Sequence, residues 1–504
     1  MRDSEGEAVV ADERSSEPLS KGLVLTIIGL ILFGLGYRVV EAQKSFWLDE
    51  LHTTELAHVG PQRMLEKLGE DFHAPLYFLA VGWMEALGLE GHGLRSISIL
   101  FSMLSLWPLL MIARSAKISG YATVALVGVV MLAPFQIRYG AELRPYSLVA
   151  FFALLMVWAA FDSERPFHVR WAIFALTAAL ALFTHYLAAA LIIAIGFVRL
   201  FVRPAGSIPV FRLILAGTLG VLLFLPWILT MESWIFSDPE ALVRSDQVKQ
   251  VEMAEPEDLP GFGELKEEVL LAFPRAFSPS MNSLGGSSKY VVMVGTGLAL
   301  AVIGFGLLSM LRRIKISGQF FGAASCGLFT MSIIGLLCVQ FWHRIPIQYF
   351  AIGAWMWAFL AAIAIDGLRT NKMRSMALTV LLIGLVLAAT GEVSGEPREN
   401  LESAVRQAVD LAKEENAHLT CLMRQPKQYT NTEVFRVYHK SAAAIEPTDV
   451  PEDDGRSVVV MTRRVSLEAK EGEVEFEDSI RKKRKLKRSI VVGRAIKIYL
   501  FESR

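Results

Sequence analysis

Cysteine is nearly absent: the chain has three in 504 residues, Cys326, Cys338 and Cys421. The first two share one apolar stretch, about 18 Å apart along a helix axis by rise alone, so they do not bridge. A disulfide framework and a cysteine metal site are therefore excluded. Net charge is also absent, since 50 Lys and Arg balance 50 Asp and Glu. Nothing at the level of the whole chain points to a nucleic-acid partner. The first apolar run, 22–40, lacks the basic flank and small-residue cleavage site of a signal peptide. It follows an acidic, Ser/Glu-rich tail and is expected to be a permanent anchor.

Apolar length is what the chain has in quantity. Hydrophobic residues make up 53% of it, with a mean hydropathy of +0.43. Windows long enough to cross a hydrocarbon core of about 30 Å recur along the sequence. About eleven spans are expected, at 22–40, 94–113, 121–137, 145–161, 171–185, 187–203, 212–231, 289–311, 319–341, 346–367 and 375–391. The stretch 75–87 is too short to span and reads as an interfacial helix. With 75–87 at the interface, the turns bearing Arg114, Lys117, Arg165, Arg170, Arg199, Arg203, Arg212, Arg312, Arg313, Lys315, Arg369, Lys372 and Arg374 fall on one side. By the positive-inside rule that side, with the N-terminus, is cytoplasmic. Arg38 and Lys44 run against this assignment.

The expected fold class is an α-helical polytopic membrane protein ending in a small α/β domain. A cytoplasmic tail covers 1–21. The membrane module covers 22–391, with external loops at 41–93 (one or two interfacial helices) and 232–288. The external domain covers 392–504, with a helix at 401–413 and strands at 418–423, 457–461 and 495–501. The basic run 481–488 reads as a solvated hairpin or strand edge, or as a contact for anionic headgroups.

This topology gathers polar residues at the outer face. Phe46-Trp47-Leu48-Asp49-Glu50 follows the first span, with His52 and His58 as surface residues of the loop and His73 ahead of the interfacial helix. The segment Arg138-Tyr139-Gly140-Ala141-Glu142-Leu143-Arg144-Pro145-Tyr146 joins the third and fourth spans. His185-Tyr186 joins the fifth and sixth, and His343-Arg344 the ninth and tenth. Charges at membrane depth are costly, so four converging charged turns mark a site. Arg138 and Glu142, four apart, would share a helix face and pair. Pro145 suits the first turn of the next helix, which places Arg144 beside a helix N-terminus, where an anion such as phosphate is favoured. A structural Arg–Glu clamp closing the turn is the competing reading.

Asp49-Glu50, His73-Ala74-Pro75-Leu76-Tyr77, Leu94-Arg95, Tyr139-x-x-Glu142-x-Arg144-Pro145-Tyr146, Thr184-His185-Tyr186 and Leu225-Pro226-Trp227 together resemble the bacterial GT-C glycosyltransferases. The resemblance runs over roughly 20–370 and is nearest the family 39 branch, related to protein O-mannosyltransferases and the aminoarabinose transferase of lipid A. Ala74 stands where the family often has Pro, and Leu143 where it often has Ala. Neither departure alters a charged group.

The resemblance implies transfer of a sugar from a polyprenyl-phosphate carrier to a lipid, glycan or protein acceptor. The setting would be the external face of the cell (inner or plasma) membrane, among membrane lipids, in glycosylation of the cell envelope. Asp49 matches the family's first-loop acid and would be the general base, with inversion at the anomeric carbon. Glu50 is the second catalytic candidate, orienting the loop or acceptor. Arg144 and Arg344 would hold the carrier phosphate. Arg138, Tyr139, Glu142, Tyr146, His73, His185 and Tyr186 would line the donor site. No cofactor is implied outright: His73 with Asp49 or Glu50 has the donor types for a divalent metal, but none is predicted. The other reading is a transporter or flippase of a lipid-linked saccharide. Transporters place charge near the midplane in paired repeats, and here the charge lies at one face with no internal repeat.

Overall fold

Pro134 breaks the long apolar run that begins at Gly120. It lacks the N–H that would bond the Val130 carbonyl, so α7 (Gly120–Leu132) ends and α8 (Pro134–Ala141) starts at a bend of 51°. The Phe135 N–H turns to the Phe277 carbonyl at 3.2 Å, which orphans Met131 as well. Arg38 of α1 (Lys21–Glu41), fully buried, repairs both. Its Nη2 donates to Val130 O and its Nη1 to Met131 O, each at 2.8 Å, and its Nε to Ser102 Oγ at 2.8 Å. A cation at a helix C-terminus also complements the helix dipole. The charge that opposed the positive-inside assignment is thus an internal staple, and α8 is held at an angle that carries 138–144 into the site.

The structure, a computed structural model, describes residues 20–70, 73–204, 206–237, 272, 275–279, 286–310, 318–342, 346–395, 400–415, 417–422, 457–463, 484–492 and 496–503. The remaining helices of the membrane module follow in order. They are α2 (Leu48–His58), α3 (Pro61–Glu70), α4 (Leu76–Ala86), α5 (Ser96–Leu104), α6 (Leu106–Ser115), α9 (Tyr146–Phe161), α10 (Phe167–Thr184), α11 (Ala188–Phe201), α12 (Val210–Ser237), α13 (Gly286–Met310), α14 (Gly318–Trp342), α15 (Met356–Asp366) and α16 (Asn371–Ser394). Among the described residues six helical segments are long and apolar enough to cross a membrane, or seven with the bent α7–α8 pair. The other four expected spans fall on the shorter apolar helices α9, α11 and α15 and on the apolar stretch Lys289–Phe305 of α13, so the protein is a multi-pass membrane protein. The fifth short apolar helix, α4, is the one expected to lie at the interface.

Three corrections concern elements. The 41–93 loop holds three helices, α2 to α4. The third expected span, 121–137, is broken at Pro134. The tenth, 346–367, is a 3-10 turn (Ile347–Ile352) followed by the 11-residue α15. α7, α9 and α15 form the buried centre, rich in Ala and Val so that backbones approach closely. α13 and α16 approach backbone to backbone: a Cβ on Gly295 would sit 2.5 Å from the Gly384 carbonyl. Several arginines counted as loop charge are structural. Arg199 donates to Ile208 O, Arg170 to Gly206 O and Arg374 to Leu368 O.

α17 (Leu401–Glu414) packs on a sheet of order β1-β2-β4-β3, formed by β1 (His418–Leu422), β2 (Val458–Arg463), β4 (Ile496–Ser503) and β3 (Arg484–Val492). β1 and β2 are parallel and the other pairs antiparallel. The helix and three strands stand where the patterning expects them. β3 was not expected as a full strand: its basic half hides the alternation. It is one of the two edge strands, and its register slips between Leu486 and Arg488, so Lys487 reaches Glu415 at 2.8 Å and Glu502 at 3.2 Å. Residues 481–483 of the basic run, and most of the expected 232–288 loop, lie outside the described residues.

Candidate active site

The first turn of α2 sends its two acids into different surroundings. Glu50 is 1% exposed and both its oxygens are engaged. Arg95 grips it two ways, Nε to Oε1 at 2.7 Å and Nη2 to Oε2 at 2.5 Å. Oε1 also accepts from the Leu143 N–H at 2.7 Å, and Oε2 from the Trp47 N–H at 3.2 Å. Arg95 spends its other N–H groups on the carbonyls of Ala42 at 2.9 Å and Lys44 at 2.5 Å, and lies 4.4 Å over the Phe46 ring. A buried pair is tolerable only when its lone pairs and protons are all used, as here. Glu50 therefore ties the start of α2 to the residue next to Arg144.

Asp49, one residue earlier, stays 35% exposed. Its Oδ2 lies 3.9 Å from Arg144 Nη2, at the limit of an ion pair, while Arg144 Nη1 donates to the Asp49 carbonyl at 3.2 Å and to Thr53 Oγ1 at 3.3 Å. Burial opposes the Arg144 charge, but Asp49, then Tyr146 and Glu142, raise its pKa above the ordinary value. Arg144 Nε is buried with no hydrogen-bond partner among the described residues. A buried donor left over in this way suits an incoming anion.

The 138–146 segment departs from expectation in one respect. α8 stops at Ala141, and Glu142 has extended backbone (φ −71°, ψ 137°), so Arg138 and Glu142 do not share a helix face. Arg138 Nε instead pairs with Glu392 of α16 at 3.0 Å. The Arg144 N–H bonds back to the Glu142 carbonyl at 2.7 Å, Pro145 takes helical geometry, and α9 opens at Tyr146, so Arg144 does stand beside a helix N-terminus. Tyr139 and Tyr146 are buried edge to face with centroids 5.4 Å apart. Gly140 has its own reason: a Cβ there would meet Ser102 Oγ at 2.5 Å and Arg38 Nε at 3.0 Å.

His185 lies in the turn between α10 and α11, its ring edge-on to Tyr349 at 5.3 Å and its Nδ1 accepting from the Leu187 N–H at 3.3 Å. Burial first, then the Arg144 charge, push its imidazole down to about 4. An unfolded histidine protonates near its ordinary value of about 6.5. Between those values the unfolded chain holds the extra proton, so this residue's contribution makes stability fall as pH drops from about 6.5 towards 4. His185→Gln is expected to flatten that slope, read as melting temperature against pH for both proteins. An unchanged profile would remove His185 as the source. Tyr186 accepts from Trp227 Nε1 at 3.1 Å and donates to Met231 Sδ at 3.2 Å, which ties this turn to α12.

His73 is half-buried, with its ring 5.6 Å from Phe78, over which Arg144 also lies at 5.9 Å. Its ring also lies 5.9 Å from that of His52. His52 is 9% exposed, so it is not the surface residue expected, whereas His58 is exposed and reaches Glu85 at 3.2 Å. Among the described residues no three His, Cys, Asp or Glu side chains cluster as metal ligands, and both oxygens of Glu50 are already used. Arg344 lies outside the described residues. Thus Asp49, Glu50, Arg144, Tyr146 and His185 come together, and Arg138, paired with Glu392, lines one cavity with Glu50 and Glu142. Sequence reasoning passed over Arg95 and Glu392 as site residues. An arginine in the first turn of a span and an acid just past the end of another were the available signals.

No protein-family model matches the sequence, and no curated protein does. Solved structures do match. ArnT from Cupriavidus metallidurans bound to undecaprenyl phosphate aligns with a TM-score of 0.53 at 13% identity, covering 95% of this chain and 98% of that one. The chain has an ArnT-like fold. ArnT in the apo state gives a TM-score of 0.50 at 13% identity with the same coverage. Such coverage leaves too few residues over for the C-terminal α/β domain to fall outside the match. The ArnT-like fold thus extends past the 20–370 region of the sequence resemblance, and the GT-C architecture expected from the motifs is the one observed.

Proposed function

We propose that the protein is a glycosyltransferase that moves a sugar from a polyprenyl-phosphate carrier to an acceptor hydroxyl at the external membrane face, with Asp49 as general base. The observation that carries this reading is the pairing of an exposed carboxylate with a buried guanidinium, Asp49 and Arg144, on a scaffold that fixes both. The ArnT-like fold supports the carrier class, since that ArnT structure holds undecaprenyl phosphate.

In the reaction the acceptor oxygen bonds to the anomeric carbon as the bond from that carbon to the phosphate oxygen breaks. The hydroxyl proton passes to Asp49, and the bonding pair leaves with the carrier phosphate. The negative charge developing there meets the Arg144 guanidinium, which presents two parallel donors to phosphate. Attack from the face opposite the leaving group inverts the anomeric configuration. The entering substrate separates Asp49 from Arg144, and their loose 3.9 Å contact makes that separation easy. Neutral His185 and the Tyr139–Tyr146 pair wall the sugar side. Glu50 acts as a brace and takes no proton, because four donors already occupy it.

Arg144→Gln tests the phosphate assignment through binding alone. Polyprenyl phosphate is expected to raise the melting temperature of the detergent-solubilised wild type. The variant is expected to lose about 1.5–3 kcal/mol of that binding, the worth of a charged hydrogen bond. Equal stabilisation of both proteins would place the phosphate elsewhere.

A further inference from the structure

We propose that the C-terminal α/β domain is a positioning element of the reaction, acting through two linked, largely buried ion pairs, Glu41–Lys44 and Arg138–Glu392. This rests on the transferase reading above. α16 is the helix that leads into the domain, and it carries Glu392 at 0% exposure two residues from its end. The Glu392 carboxylate meets Arg138 Nε at 3.0 Å, and its carbonyl accepts from Lys44 Nζ at 3.0 Å. Lys44 also pairs with Glu41 at 2.7 Å. One residue on, Ser45 Oγ accepts from the Glu402 N–H at 3.2 Å, in the first turn of the domain's α17.

The domain and its leading helix therefore hold two things at once. One is the stretch 41–45, which runs into Trp47 and the start of α2, where Asp49 sits. The other is α8, which ends just before Glu142 and Arg144. Removing one partner of a buried pair leaves an uncompensated charge, so Glu392 and Arg138 move as a unit. Any shift of the domain then reaches both Asp49 and Arg144, and a displacement of about 1 Å at reacting groups costs about 100-fold in rate. On this account Arg138 is a positioning residue, and the carrier phosphate belongs to Arg144.

The test compares Glu392→Gln, Arg138→Met and the double variant Arg138→Met/Glu392→Leu in the full-length protein. Each single variant is expected to lower kcat about 10–100-fold, with KM for the donor within about twofold of wild type. The double variant, which leaves neither member of the Arg138–Glu392 pair as a lone charge, is expected to fold and to regain most of kcat. It keeps the test informative even where a single variant does not fold. Amide hydrogen exchange in 400–404 and 41–47 is expected to speed up in the single variants and return in the double. A double variant as inactive as Arg138→Met, with weakened polyprenyl-phosphate binding, would show that Arg138 is a phosphate ligand and overturn the proposal. So would Glu392→Gln with wild-type kcat and exchange. The exchange arm needs no turnover, so a wild type without transferase activity would sink the transferase reading and leave the coupling itself measurable.

Discussion

Asp49→Asn is expected to lower turnover by about 10³-fold, within the range of about 10²–10⁴ for loss of a positioned general base. The amide keeps the size of the side chain and cannot take the acceptor proton. Asp49 makes no buried hydrogen bond with its carboxylate among the described residues, and its Arg144 contact is loose. Folding should therefore survive, and donor binding should stay within about twofold of wild type. Single-turnover kinetics with a bound donor isolate the chemical step. A variant with wild-type turnover would end the assignment, and one that fails to bind donor would make Asp49 a ligand.

Glu50→Gln, one residue on, should fail in a different way. The change removes the anion from a pair that is almost fully buried and leaves Arg95 charged beneath α2. Breaking such a pair costs about 3–5 kcal/mol, a large share of the 5–15 kcal/mol that holds a typical fold. The expected result is a sharp drop in melting temperature and in the yield of monodisperse protein. Glu50→Leu combined with Arg95→Met should recover much of the stability, because no lone charge remains. If Glu50→Gln melts as the wild type does and loses turnover, Glu50 is the base and Asp49 the support.

The two acids show how far sequence reaches. Both were legible as a pair at a membrane exit, and so was their convergence with Arg144 and His185, because parity of the spans alone returns those turns to one face. Which acid is free was not legible. It depends on Arg95, 45 residues away, and on one backbone N–H at Leu143, neither of which leaves a pattern at Asp49-Glu50. Arg138 misled for a related reason. The spacing to Glu142 promised a shared helix face, but α8 stops at Ala141 and a helix from the far end of the module brings Glu392 instead. Arg38, near the exit of the first span, runs against the positive-inside assignment, and Pro134 supplies the two orphaned carbonyls that account for it. Apolar length set the spans, and helix breaks set which charges became internal.

The central claim is that the sugar leaves its carrier at this site. The most direct measurement places a polyprenyl-phosphate sugar, labelled in the sugar, in the outer leaflet of liposomes containing wild type or Asp49→Asn. With an acceptor hydroxyl supplied, or with water in its place, the account predicts that label leaves the polyprenyl-phosphate carrier with wild type and stays on it with the variant, although both bind the donor. Label that remains on intact lipid and crosses to the inner leaflet at the same rate with either protein would contradict it, and would make the protein a carrier of lipid-linked saccharide.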